Sequence, residues 1–314
     1  MKVEVAGNTV PPGESARIHL PAGRLPTGAD VTVPVEVIHG IRPGPRLWLS
    51  AAIHGDELNG VEIIRQVLAD TPPRRLSGVI VAAPIVNVYG FIAQSRYLPD
   101  RRDLNRSFPG SARGSMASRL AHLFMEEVVR GSDVGIDLHT GSDDRTNLAQ
   151  VRGDLSDPGT RELALAFGAP VSLHANTRDG SLRAAATRDG SKVLVFEGGE
   201  ARRFNREIIE IGTRGVLRVM ESLGMRRSSR PTESPTLEAT GSRWVRAGRS
   251  GLIRLNVEPG DRVEKRDQLG VIKDAFGDRI HRVRAGTSGI VIGLTRQPQV
   301  NRGDALVHIA QIQP

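Results

Sequence analysis

Between Leu47 and Leu223, short apolar runs alternate with segments whose apolar residues recur every three or four positions, and that alternation confines the chain to an α/β fold. The run Leu47-Trp48-Leu49-Ser50-Ala51-Ala52-Ile53 is nearly continuous in apolar character, as a strand covered on both faces must be. Val61, Ile64, Val67 and Leu68 follow at helical spacing until Pro72-Pro73 ends the pattern. The same grammar returns around Val79-Ile80-Val81, over Val134–Leu138 and over Val193–Phe196, with helices expected at about 115–130 and 204–223. The expected architecture is a mixed, mostly parallel sheet with helices on both faces, in which ligands bind beyond the carboxyl ends of the strands. Ahead of it, Val31–Val37 alternates with a period of two, and Pro34 within it points to a sheet edge.

The composition breaks at Arg226–Arg243, a stretch rich in Ser, Thr, Pro and charge that reads as a linker. Two domains are expected, residues 1–230 and 236–314. The second holds an internal repeat: Gly251-Leu252-Ile253 with Val263, Asp267, Leu269 and Ile272, then Gly289-Ile290-Val291 with Val300, Asp304, Leu306 and Ile309. These halves, with the turn Glu258-Pro259-Gly260-Asp261, resemble the β sandwich of biotinyl and lipoyl carrier domains, the barrel-sandwich hybrid. Lys273, in Val-Ile-Lys-Asp-Ala-Phe, matches neither the Met-Lys-Met nor the Asp-Lys-Ala context of a carrier lysine, so no prosthetic group is expected. The unit is expected instead to rim a pocket or to join subunits of a homo-oligomer.

The net charge of +8 could suggest an anionic polymer as partner, but the basic residues argue otherwise. Four of the 43 are lysines and the rest are arginines scattered along the chain, while aromatics make up only 4%, too few for base-stacking platforms. Nucleic acid is therefore not an expected partner. No apolar stretch reaches the roughly 20 residues of a membrane span, and the N-terminus lacks the basic and apolar segments of a secretory signal. No membrane partner and a cytoplasmic location are expected. There is no cysteine, so any transition-metal site must be built from His and carboxylates.

Such residues stand at the ends of the apolar runs. His54 and Glu57, in His-Gly-Asp-Glu, follow the first run, where a strand gives way to a helix. A second imidazole, His139, ends the run Gly135–Leu138, and a catalytic zinc takes three protein ligands and keeps one open position. Asp137, two residues earlier on the same strand face, is placed to accept the other ring N–H of His139. Glu197 closes Val193–Phe196 and is the candidate general base, with Glu200 as the alternative; emergence from four apolar residues should desolvate it. Positive groups for a substrate carboxylate cluster between Ser95 and Arg106, where Asn105 and Arg106 combine a neutral donor with a planar fork. Of the other histidines, His19, His39, His122, His281 and His308 read as surface or core residues, and His174 stands at the end of a further apolar stretch.

His-Gly-Asp-Glu, Asp-Leu-Asn-Arg-Ser-Phe-Pro-Gly, Asp-Leu-His-Thr-Gly and Phe-Glu-Gly-Gly, in that order, resemble the succinylglutamate desuccinylase and aspartoacylase family of zinc carboxypeptidase-like hydrolases. The likeness spans about 47–223. It implies one Zn²⁺ per chain on His54, Glu57 and His139, Glu197 as base, Asn105 and Arg106 as carboxylate binders, and Arg96 as the group that stabilises the oxyanion, with Arg101 and Arg102 as competitors. The implied activity is hydrolysis of a small N-acyl amino acid or related amide. A peptide-cleaving metallocarboxypeptidase and a non-catalytic binding protein are the rivals. Against the former, the chain has no Tyr after Tyr97, whereas carboxypeptidases place a substrate-contacting Tyr shortly before their catalytic Glu.

Overall fold

The computed structural model describes residues 3–227 and 236–312. The chain begins with a small antiparallel pair, β1 (Val3–Val5) and β2 (Asn8–Val10). The chain then runs β3 (Glu14–Arg24), β4 (Asp30–His39), β5 (Arg42–Ala51), α1 (Asn59–Ala69), β6 (Ser77–Ala83), α2 (Val88–Ala93), α3 (Met116–Phe124), β7 (Val134–Gly141), β8 (Arg145–Gly153), α4 (Pro158–Phe167), β9 (Val171–His174), α5 (Leu182–Arg188), β10 (Lys192–Glu200) and α6 (Arg206–Ser222). This is a mixed α/β fold. The spatial order β9-β8-β10-β7-β5-β6-β4-β3 contains four neighbouring strands, β10, β7, β5 and β6, that are mutually parallel.

Alternation along these strands sends side chains into two separate cores. Trp48, Val79 and Val81 pack with Leu120 and Phe124 of α3 and Ala185 of α5 on one face. Leu47, Leu49 and Ile136 pack with Ile63 and Val67 of α1, Phe167 of α4 and Val216 of α6 on the other. Burial on both faces is why the central runs are continuously apolar. Among the described residues no helix is long and apolar enough to cross a membrane.

Two local expectations are corrected. β4 is not the sheet edge: β3 lies outside it and pairs along its length, while β6 reaches only Glu36–His39. Pro34 therefore stands on a stretch of β4 with one free flank, where a residue lacking an N–H is tolerated. The expected linker Arg226–Arg243 is also shorter than its composition suggested. Residues 228–235 lie outside the described residues, but Leu237–Arg243 is already strand, the first part of β11 (Leu237–Arg246).

The remaining strands are β12 (Gly251–Leu255), β13 (Arg262–Val263), β14 (Gln268–Lys273), β15 (Ile280–Arg284), β16 (Gly289–Thr295), β17 (Gln299–Val300) and β18 (Ala305–Ile312). The repeat is visible in matched turns, where Asp267 accepts from Glu264 N at 2.8 Å and Asp304 from Asn301 N at 2.7 Å. Its halves also exchange strands: β13 pairs with β16, and β17 with β12. Gly251 and Gly289 both sit at φ +153°, where a Cβ would run into the carbonyls of Lys273 and Ala310. β11 pairs in parallel with β9 and β16 pairs with β8, so these strands continue the central sheet on the side of β8.

Candidate metal centre

Three adjacent parallel strands, β10, β7 and β5, end together, and the candidate residues lie at those ends. After β5, Ala52 takes a left-handed conformation (φ +48°), which turns the chain out of the sheet before His54. Gly55 then passes against α2 so closely that a Cβ would collide with the backbone of Gly90 and Phe91. That contact fixes the His54–Glu57 turn against the body of the protein. On β7 and β10 the register places Glu197 directly opposite His139, so the two share a face of the sheet.

The turn and the strand bring His54, Glu57 and His139 into one buried group whose donor atoms all lie within 4.8 Å of one another. Glu57 stands between the imidazoles: Oε1 is 2.7 Å from His54 Nδ1, and Oε2 is 2.7 Å from His139 Nδ1. The far nitrogens are held from outside. His139 Nε2 lies 2.8 Å from Asp137 Oδ2, whose other oxygen accepts from Ser50 at 2.7 Å, and His54 Nε2 lies 3.2 Å from Asp103 Oδ1.

Burial opposes charge at every one of these positions, yet the neighbours outweigh it. Both imidazoles are raised above their ordinary value, His54 by Glu57 and Asp103, and His139 well above it by Asp137 and Glu57. Glu57 is held well below the usual carboxylate range by the two imidazoles. The cluster thus gathers three carboxylates, Glu57, Asp103 and Asp137, against one guanidinium, Arg96. With the imidazoles neutral, as zinc ligands must be, two negative charges are left in surplus around two inward Nδ1 atoms and a carboxylate, the donor set and the charge that a divalent zinc ion fits.

Arg96 closes one side. Its Nε and Nη2 donate to Asp103 Oδ2 at 3.2 and 2.8 Å, which leaves Nη1 near the cluster, 3.3 Å from His54 Nδ1 and 3.7 Å from Glu57 Oε1. Arg101 and Arg102 are exposed and do not line the cavity. Asn105 and Arg106 do, from a short turn started by Asp103, which accepts from Asn105 N. Leu182 N donates to Asn105 Oδ1 at 2.9 Å, and the amide nitrogen has no hydrogen-bond partner among the described residues. Glu197 faces the same cavity, with Oε2 accepting from Asn147 at 2.8 Å and Oε1 3.8 Å from Arg152. Its surroundings are more polar than the run before it suggests. Glu200 turns away to Arg203 and Arg296.

The cavity, about 580 Å³, has a second wall that sequence reasoning did not find. Asp103, the first residue of the Asp-Leu-Asn-Arg motif, and Asn147 are each bonded to a candidate residue without being candidates themselves, and Arg145, Arg152, Arg178 and Arg183 carry no local signal. Trp244 and His308 come from β11 and β18, so the C-terminal strands rim the pocket. His308 is buried, not solvated: its ring stacks on Trp244 at 4.5 Å and its Nε2 is 2.8 Å from Ser242 Oγ. Burial, followed by Arg152, Arg145 and Arg178, pushes its imidazole down to about 3 from the ordinary 6.5. As pH falls below 6.5, the unfolded chain takes up a proton here that the native chain refuses until about 3. Native stability is therefore lost through that window, by up to about 1.4 kcal/mol per pH unit from this group. His308→Asn is expected to flatten the fall of Tm with acid relative to the parent, and parallel Tm-against-pH curves for the two proteins would contradict the assignment.

The mixed α/β sheet thus carries, at the ends of its parallel strands, a buried His-Glu-His group that could hold a metal ion, open to the cavity. Residues 43–223 match the model of the succinylglutamate desuccinylase/aspartoacylase catalytic domain, and the chain belongs to that family. It is 26% identical over 296 residues to the N-alpha-acetyl-L-2,4-diaminobutyric acid deacetylase of Halomonas elongata, covering 90% of this chain and 86% of that one. The crystal structure of a succinylglutamate desuccinylase/aspartoacylase from Rhodobacter sphaeroides superposes with a TM-score of 0.86 at 26% identity, covering 96% of this chain and 95% of the other. The product-bound ectoine utilization protein EutE (DoeB) of Ruegeria pomeroyi gives 0.86 at 23% identity over 96% and 97%, a likeness of fold.

Proposed function

We propose that the chain is a zinc-dependent amide hydrolase, a deacylase that releases a carboxylate from a small N-acylated amino acid or related amide. One observation carries the reading: Nδ1 of His54 and of His139 both meet the Glu57 carboxylate at 2.7 Å, in a cavity that also holds Glu197, Arg96, Asn105 and Arg106. Family membership and the deacetylase named above support it. His54, Glu57 and His139 would hold one ion per chain, with Asp137 and Asp103 fixing the rings. When bound, zinc supplies a Lewis acid for the amide oxygen and lowers the pKa of water to about 7.

The chain's own groups do the rest. Asn147 occupies Glu197 Oε2, so Oε1 takes the proton from the attacking water and returns it to the departing amine. Arg96 Nη1 donates to the amide oxygen as negative charge develops there, a contact whose loss typically costs about 2.7–4 kcal/mol in barrier height. Asn105 Nδ2 and the Arg106 fork bind the substrate carboxylate and set the amide over the cluster. In this reading residues 1–230 form the hydrolase unit, and 236–314 a barrel-sandwich-hybrid unit that completes the pocket.

The test is a panel of N-acyl amino acids and short peptides, assayed with and without chelator alongside metal analysis. Chelator-sensitive release of amine from the N-acyl compounds is expected. Release of free amino acid from peptide C-termini would favour a carboxypeptidase, and no turnover of either would favour a binding protein.

A further inference from the structure

Glu197 is followed at once by an irregularity in both of its ladders. Against β7, β10 advances from Glu197 to Glu200 while its partner advances only from His139 to Gly141, so β10 carries one extra residue there. Against β8 the register also shifts, between Glu197 and Gly199. Gly199 takes φ +73°, the left-handed conformation that suits a bulge, and Gly198 lies so close to Ile208 of α6 that a Cβ would collide with it. A bulge breaks regular pairing, so the direction of the side chain before it is set by whatever holds the bulge.

Two asparagines hold this one. Asn59, fully buried at the start of α1, donates from Nδ2 to Gly198 O at 3.2 Å and to Asn205 Oδ1 at 3.1 Å, and its Oδ1 accepts from Asn205 N at 2.9 Å. Asn205 Oδ1 also accepts from Glu200 N at 3.1 Å. Asn205 is the N-cap of α6, where a side-chain oxygen ordinarily accepts from the first turn of its own helix, yet among the described residues its side chain makes no such bond. The capping group serves the bulge instead. Gly199 packs directly on the pair: a Cβ there would lie 2.4 Å from Asn205 Oδ1 and 2.8 Å from Asn59 Nδ2. Beside them, Arg202 N donates to Asp56 O at 2.7 Å. The segment after Glu197 is thereby tied both to the turn that carries His54 and Glu57 and to the helix that follows it.

We propose that Asn59 and Asn205 are positioning residues for Glu197, a clamp that joins the turn carrying His54 and Glu57 to the strand end carrying the base and fixes the distance between them. The inference rests on the reading of Glu197 as the base and deepens it. Neither asparagine is among the described residues that line the cavity, so an effect on turnover has to pass through the backbone of residues 198–200. Proton transfer needs hydrogen-bond reach, and a misplacement of about 1 Å can cost about a hundredfold in rate.

The experiment measures kcat, KM and metal content for Asn205→Ala, Asn205→Asp and Asn59→Ala, each alone and together with Glu197→Gln. Asn205→Ala is expected to lower kcat by about tenfold to a hundredfold, with KM within about threefold and the metal content at the parent level. Asn205→Asp keeps an oxygen for Asn59 Nδ2 and Glu200 N, and is expected to recover kcat to within about threefold of the parent. Combined with Glu197→Gln, the Asn205→Ala change is expected to cost less than about twofold more, because the group it positions is already gone. Asn59→Ala should match Asn205→Ala; should it fail to fold, the half-buried Asn205 decides alone. Hydrogen exchange over residues 198–205 of the metal-free protein should quicken in Asn205→Ala and return to the parent rate in Asn205→Asp. Parent kcat in Asn205→Ala, an equal loss in the Glu197→Gln background, or a loss matched by lost metal overturns the clamp. If no N-acyl compound is hydrolysed, or Glu197→Gln turns over at the parent rate, the reading of Glu197 fails separately and exchange decides the clamp. Quickening over 198–205 that Asn205→Asp reverses sustains it; exchange at the parent rate in Asn205→Ala overturns it.

Discussion

Glu197→Gln is expected to lower kcat by about 10²–10⁴-fold while leaving the metal content of the purified protein at the parent level. The substitution keeps the size of the side chain and a partner for Asn147, and removes only the capacity to accept a proton. Glu197 stands opposite His139 in the β7–β10 register, and among the described residues its side-chain bonds go to Asn147 and Arg152 and not to the His54–Glu57–His139 group, so the two properties separate. Steady-state kinetics on the best N-acyl substrate, with metal analysis of the same preparation, makes the check. Turnover at the parent rate would remove Glu197 from proton transfer.

His139→Ala should have the larger structural reach. The imidazole is in contact with Glu57 and Asp137, both essentially without solvent exposure. Its removal leaves two buried carboxylates short of a partner, and uncompensated buried charge typically costs about 3–5 kcal/mol. The expected results are loss of the bound ion, activity reduced to the chelator-treated background, and a lowered Tm. Thr140 N still donates to Glu57 at 3.1 Å, and Ser50 to Asp137 at 2.7 Å, so the strand ends keep part of their bonding and the fold itself is expected to persist. A variant that retains one ion per chain contradicts the ligand assignment.

The residues that sequence reasoning brought together share one physical signature. His54, His139 and Glu197 each follow a run of residues buried on both faces, and a polar group at the carboxyl end of such a run has only the strand-end crevice to face. The strand order that makes those ends adjacent follows from the right-handed strand–helix–strand connections of an α/β fold. The opposite wall had no comparable trace. Arg145 and Arg152 are half-buried positions seven residues apart on a largely buried β8, whose pairing with β10 is irregular between them, and they line a cavity beside β16, which pairs with β8, and β11, which pairs with the neighbouring β9. Leu237–Arg243 has the composition of a linker for a related reason. Thr240, Gly241 and Ser242 line the pocket, so β11 lacks the apolar alternation by which a strand packed on a core is recognised. The motif that opens with Asp103 gives it no role, because its partners, His54 and Arg96, are joined to it by loop geometry and not by periodicity.

The central claim is that two imidazoles and one carboxylate grip a single divalent ion. Diffraction data collected at the zinc absorption edge from crystals grown with zinc test it most directly. The account predicts one anomalous peak per chain, about 2.0–2.2 Å from His54 Nδ1, His139 Nδ1 and a Glu57 oxygen. No peak among those atoms, with zinc present in the crystal, would contradict it.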